Sequence, residues 1–332
     1  MQLRQLGSSD IKITPVVFGA WAVGGWMWGG NDEADSIEAI RASIRAGVNT
    51  IDTAAIYGQG YGEEVVAKAI KGMRDKVIIA TKCGRRWDSP TGTNPWTTTD
   101  RDGNEVTIRT ISKPASIFHE CEQSLKRLRT DFIDLYQIHW PDAETPAEES
   151  MGAMMKLKKQ GKIRAIGVSN YNLAQLETAA KHAPIASLQP PYSVIQRQIE
   201  NDLLPFCRTN NIGVIVYSPL ERGLLTGKVT PDRKFPEGDH RATHKFFTPE
   251  NRQRVLDTLE KLRPLGDKHK ASLAQLLIAW TIAQPGITAA LVGARNAQQS
   301  VHNAEAMKIK LSRDELAQVR TSFDETARAM TA

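Results

Sequence analysis

Four residues in the first half of the chain have side chains suited to moving a proton: Asp52, Tyr57, Lys82 and His139. A tyrosine hydroxyl titrates near about 10 and is a weak acid at neutral pH, but an adjacent ammonium lowers that value. A carboxylate behind the ammonium keeps it charged and oriented. On this reading Lys82 activates Tyr57, Asp52 steadies Lys82, and His139 donates to a substrate oxygen, so that the set poises a proton over a carbonyl. Each residue also has a plainer use. Asp52 could cap a helix, Lys82 form a structural ion pair, His139 satisfy the turn at Trp140-Pro141, and Tyr57 pack as an aromatic. Position favours the chemistry, because Asp52, Lys82 and His139 each close a short apolar run.

Such β-branched runs lie at 16–18, 49–52, 77–81, 132–138, 163–168, 187–189, 213–217 and 287–292. Amphipathic stretches at 35–46, 63–71, 114–128, 146–160, 173–182, 201–210 and 272–283 alternate with them. The pattern is a repeated βα unit, and no linker divides 1–332. It predicts a single α/β domain, a (β/α)8 TIM barrel with its chemistry at the carboxyl ends of the strands. Residues 2–14 read as a β-hairpin plugging the barrel bottom, and 252–262 and 313–327 as extra helices. The segments 83–112, 218–244 and beyond 307 are longer than helix-to-strand connections need, and are expected to be loops that cover the site.

The 332 residues include 43 Lys plus Arg and 37 Asp plus Glu, for a net charge of +6. The charges form no basic block, which argues against a nucleic-acid partner and permits a small anionic ligand. Cys83, Cys121 and Cys207 lie too far apart for a zinc motif or a disulfide framework, so no metal is expected and a reducing cytoplasm fits. The uncharged stretch 13–30 contains Pro15 and five glycines. It reads as a strand and a loop rather than a leader or a membrane span, and no membrane partner is expected. Trp21, Trp26, Trp28, Trp87, Trp96 and Trp140 fall on upper loops; Trp21 and Trp140 are the expected pocket walls. The scarcity of charge in 21–30 favours a neutral aldehyde, ketone or polyol over a carboxylate or phosphate.

The stretch Gly47-Val48-Asn49-Thr50-Ile51-Asp52-Thr53-Ala54-Ala55-Ile56-Tyr57-Gly58, followed by Gly62-Glu63-Glu64, resembles the signature of the aldo-keto reductases. The resemblance continues through Ile79 to Lys82, Asp134 to Trp140, Gly167 to Asn170, Tyr217 to Leu220 and Gly293 to Arg295. It is closest to the bacterial branch of inositol-operon and general-stress reductases, which includes glyceraldehyde reductases that oxidise glycerol in reverse. The resemblance implies an NADP(H)-dependent barrel enzyme with a tetrad of Asp52, Tyr57, Lys82 and His139. It assigns the nicotinamide to Ser169, Asn170, Gln189 and Tyr217, and the pyrophosphate to Ser218, Leu220, Gly223 and Lys228. Gly293 would be a further cofactor contact, Arg295 would take the ribose phosphate, and Gln299 and Asn303 the adenine edge. Arg295 stands where other branches open this loop with Lys-Ser, so the NADP preference rests mainly on one guanidinium. The chain is expected to act as a monomer on a small carbonyl or polyol substrate. Two rivals remain at this stage: a Schiff-base aldolase using Lys82, and a slow NADPH-binding sensor barrel.

Overall fold

The computed structural model describes residues 2–331 and closes eight parallel strands into a barrel. The strands are β1 (Val16–Gly19), β2 (Thr50–Asp52), β3 (Ile78–Cys83), β4 (Ile133–Ile138), β5 (Ile163–Ser169), β6 (Ile185–Gln189), β7 (Gly213–Val216) and β8 (Ala289–Gly293), each paired with its neighbours in sequence, β8 closing on β1. Helices follow the strands on the outside, beginning with Glu33–Arg45, whose first turn is capped by the Asp32 carboxylate on the Asp35 N–H.

Alternation along the strands gives the interior its layers. Val17, Ala80, Leu135, Ala165, Ile215, Ala289 and Leu291 form the apolar lower filling, with Leu6, Ile11 and Ile13 packed against it. Those three come from the predicted hairpin, whose paired strands are only Arg4–Gln5 and Lys12–Ile13. Its turn glycine, Gly7, has φ +53°, and a Cβ there would lie 2.4 Å from the Ala186 carbonyl. One layer higher the inward positions become polar, with Asp52, Lys82, Gln137 and Gln189 all buried. Gly167 leaves the room for this layer: a Cβ would fall 2.5 Å from Ser187 Oγ and 2.8 Å from Gln137 Cγ.

The expected covering loops have more structure than anticipated. Within 83–112 the strands Arg85–Arg86, Thr93–Thr99 and Glu105–Thr110 form an antiparallel ribbon, with Glu105–Thr110 in the middle. Thr93–Thr99 is mostly exposed and carries no apolar alternation, so hydrophobic patterning gave no sign of a strand. Within 218–244 the 3-10 turns Glu221–Thr226 and His240–Thr243 bring the chain back across the barrel mouth. The outer helix expected at 252–262 begins earlier, at Pro249, where the Thr248 hydroxyl accepts from the Asn251 N–H. The tail folds into the long helix Arg313–Thr331.

Candidate active site

The polar layer ends in a buried ion pair. Lys82, at the end of β3, donates to Asp52 Oδ1 at 2.5 Å and to the Thr53 carbonyl at 2.8 Å. Its third contact is the Tyr57 hydroxyl at 3.4 Å, which the turn after β2 folds back over the pair. Asp52 uses its other oxygen on the barrel's far side, accepting from Gln189 Nε2 at 2.8 Å and Gln137 Nε2 at 3.2 Å. With donors on both oxygens the carboxylate is fully satisfied away from water. Gln137 was absent from the expected set, although it is the polar inward residue two positions before His139 and strand parity points to it.

Burial opposes the charge on Lys82, but Asp52 and Tyr57 together lift its pKa above the ordinary lysine value. The Tyr57 phenol departs from expectation. Burial raises its pKa, and the lowering by the Lys82 ammonium only partly offsets this, with Asp52 pushing the other way. His139 stands edge-on to the Tyr57 ring, centroids 5.9 Å apart. Burial, then Lys82 and Arg85, depress its pKa well below the usual histidine value, so the imidazole is neutral.

The next strand ends form a hydrogen-bonded rim. Ser169 Oγ donates to the Gln189 carbonyl at 2.8 Å, and Asn170 Nδ2 to the His139 carbonyl at 2.9 Å. Tyr217 completes the rim by donating to Asn170 Oδ1 at 2.8 Å. The rim opens into a cavity of about 850 Å³, near the upper end of the roughly 300–1,000 Å³ usual for small-molecule sites. Ser218, Leu220, Gly223, Lys228, Gly293 and Arg295 line one arm of this cavity, as do Gln299 and Asn303. Gln299 Oε1 accepts from the Arg295 N–H, and Asn303 Nδ2 donates to the Gly293 carbonyl. Both lie on the helix Ala297–Glu305, which the periodicity did not single out.

A sequence profile of the Aldo/keto reductase family matches residues 15–323. The chain belongs to that family. An aldo-keto reductase of Bacillus subtilis, YhdN, is 40% identical over 98% of this chain and 95% of its own length. The NADH-specific methylglyoxal reductase of Escherichia coli is 37% identical, over 94% and 95%. Among solved structures, the glycerol dehydrogenase of Gluconobacter oxydans superposes with a TM-score of 0.86 at 36% identity, covering 98% of this chain and 95% of that one. This aldo-keto reductase is therefore an oxidoreductase that works on carbonyl compounds with a nicotinamide cofactor.

The reductase's loops meet over the cavity. Arg295 donates to the Trp28 carbonyl at 2.6 Å, and both Arg295 and Arg241 lie against the Trp28 indole. The His240 N–H donates to the Met27 carbonyl, tying loop 21–30 to the loop after β7. Trp21, Trp26, Trp28, Trp96 and Trp140 all line the cavity. Trp87 does not; it packs instead with Arg86, His119 and Arg127 in a small separate cleft. The expectation of a substrate end without a cation also fails, because the ribbon carries Arg85 into it. Loop 21–30 itself is sparsely charged, and the charge arrives from the ribbon strand Arg85–Arg86.

Proposed function

We propose that this protein reduces small aldehydes and ketones of the glyceraldehyde type to alcohols with NADPH, and oxidises the corresponding polyols in reverse. The reading is carried by the Tyr57 hydroxyl, which lies 3.4 Å from a lysine fixed by Asp52 and lines the same cavity as the tryptophans and the cationic arm.

The cavity residues fit a phosphorylated dinucleotide. Arg222, Lys228, Arg233, Arg241 and Arg295 line it, and among the described residues its one lining carboxylate is Asp52. Ser169, Asn170 and Gln189 would hold the nicotinamide amide, with Tyr217 under the ring. Ser218, Leu220, Gly223 and Lys228 would hold the pyrophosphate. Gly293 would be a further cofactor contact, and Arg295 would take the ribose phosphate, with Gln299 and Asn303 at the adenine. The cofactor, when bound, supplies the hydride.

The chain's own residues manage the proton. Tyr57 donates its O–H to the carbonyl oxygen, and its raised pKa keeps that proton in place throughout the neutral range. Lys82 stabilises the phenolate left behind, and Asp52 keeps the lysine charged and aimed. Neutral His139 offers a second N–H to the same oxygen. In the reverse direction the phenolate accepts the alcohol proton, so it must first be formed. Steady-state rates of glyceraldehyde reduction and glycerol oxidation from roughly pH 5 to 11 test this. Reduction is expected to hold and then decline on the alkaline side while oxidation rises; parallel trends would reject the shared tyrosine.

A further inference from the structure

Arg85 differs from the other cationic residues around the cavity. Arg241 and Arg295 gather on Trp28, at the arm assigned to the dinucleotide. Arg85 instead lies over the Trp140 ring, its guanidinium carbon 5.1 Å from the centroid, and it lines the cavity together with His139, Ile108 and Trp96. Its Nη1 donates to Thr110 Oγ1 at 3.1 Å. Among the described residues no carboxylate forms an ion pair with it, although its neighbour Arg86 is paired with Asp88. Among the described residues Nε and Nη2 also have no hydrogen-bond acceptor, and together they form the edge of the guanidinium that grips a carboxylate side-on.

Arg85 is a half-buried guanidinium at the pocket wall without a protein counter-charge, and its free nitrogens are not sealed off, so a ligand in the cavity can reach them. Burial does lower the Arg85 pKa, and no acidic residue opposes that. The positive charge also reaches the proton-transfer group, since it contributes to keeping His139 neutral. Resting on the reductase reading above, we propose that Arg85 is a specificity residue that binds the carboxylate of a short carbonyl substrate, so that the preferred substrates are aldehydes or ketones carrying an acid group. A carboxylate fits better than a phosphate here. One planar fork satisfies a monoanion, whereas a phosphate dianion calls for several converging donors, such as those in the other arm. Trp140, Trp96 and Ile108 would pack the methylene spacer.

The test compares 4-oxobutanoate with butanal, which matches it in length but lacks the charge, in the wild type and in Arg85→Met and Arg85→Lys. Wild type is expected to favour 4-oxobutanoate in kcat/KM by roughly ten- to a hundredfold, the worth of a charge-assisted pair. Arg85→Met should bring the ratio close to one, and Arg85→Lys should restore part of it through charge without the fork. A ratio that ignores the substitution, or a wild type that prefers butanal, overturns the proposal. A stronger preference for glyceraldehyde 3-phosphate than for 4-oxobutanoate overturns the carboxylate assignment. Calorimetric binding of 4-hydroxybutanoate separates this idea from the reductase reading. Should neither aldehyde consume NADPH while 4-hydroxybutanoate still binds through Arg85, the subsite stands and the reductase reading falls. Turnover of both aldehydes with no Arg85 dependence removes the subsite alone.

Discussion

At the residue scale, Lys82 is a buried ammonium that spends its donors on Asp52, the Thr53 carbonyl and Tyr57. An amine held in that state is a poor nucleophile, which separates this site from a Schiff-base aldolase. Treating the protein with glyceraldehyde and borohydride should alkylate exposed lysines and leave Lys82 unmodified in peptide mapping, and a reduced adduct on Lys82 would revive the aldolase. The same contacts make Lys82 structural. Lys82→Met leaves Asp52 as a buried carboxylate without its counter-charge, so urea unfolding should show a loss of about 3–5 kcal/mol. Tyr57→Phe removes a hydroxyl and no charge, and its loss should stay below about 1 kcal/mol; equal losses would mean that the ion pair contributes nothing special. Asp52, Lys82 and His139 were legible in the sequence because they interrupt apolar runs at strand ends. Gln137 was legible only through strand parity, and Arg85 not at all. The first is hidden inside the strand Ile133–Ile138, and the second sits where no periodicity marks a strand.

At the scale of elements, the ribbon that brings Arg85 and Trp96 to the pocket is anchored by one buried side chain of the helix Pro114–Leu128. Glu120 Oε2 accepts from the Gly84 N–H at 2.9 Å and Oε1 from Ser116 Oγ at 2.9 Å, directly before the ribbon begins. Burial raises its pKa to about 7, more than those two hydrogen bonds lower it. The folded state thus holds a proton that the unfolded chain releases near pH 4.5, and stability contributed by this group falls as pH rises from about 4.5 to 7. Glu120→Gln keeps the shape and removes the titration. Its stability relative to wild type should improve by on the order of 2–3 kcal/mol between pH 5 and 8 in denaturant melts. A difference that does not vary with pH would show that Glu120 is charged throughout. The eight strands and most helices could be read from apolar runs of the right length, because burial on both faces of a barrel strand writes itself into composition. The ribbon could not, since its Thr-rich outer strand is held by backbone pairing and solvated side chains.

At the scale of the whole molecule, one cavity spans the barrel mouth, with Arg241 and Arg295 on Trp28 toward one end, Arg85 on Trp140 beside His139 toward the other, and Tyr57 among its lining residues. The end with Arg241 and Arg295 should favour NADPH. Arg295→Ala is expected to weaken NADPH roughly ten- to a hundredfold, with little change for NADH, in fluorescence titrations. Equal losses would assign Arg295 instead to the contact it makes with the Trp28 carbonyl. The NADH-specific relative in Escherichia coli makes this comparison informative. If cofactor binding and proton transfer are separate tasks of this cavity, Tyr57→Phe divides them, and two quantities measured on it decide: its affinity for NADPH and its single-turnover rate with glyceraldehyde. Loss of the general acid should leave the affinity within about threefold of wild type and lower the rate at least a hundredfold. A variant that retains more than about a tenth of the wild-type rate would contradict it.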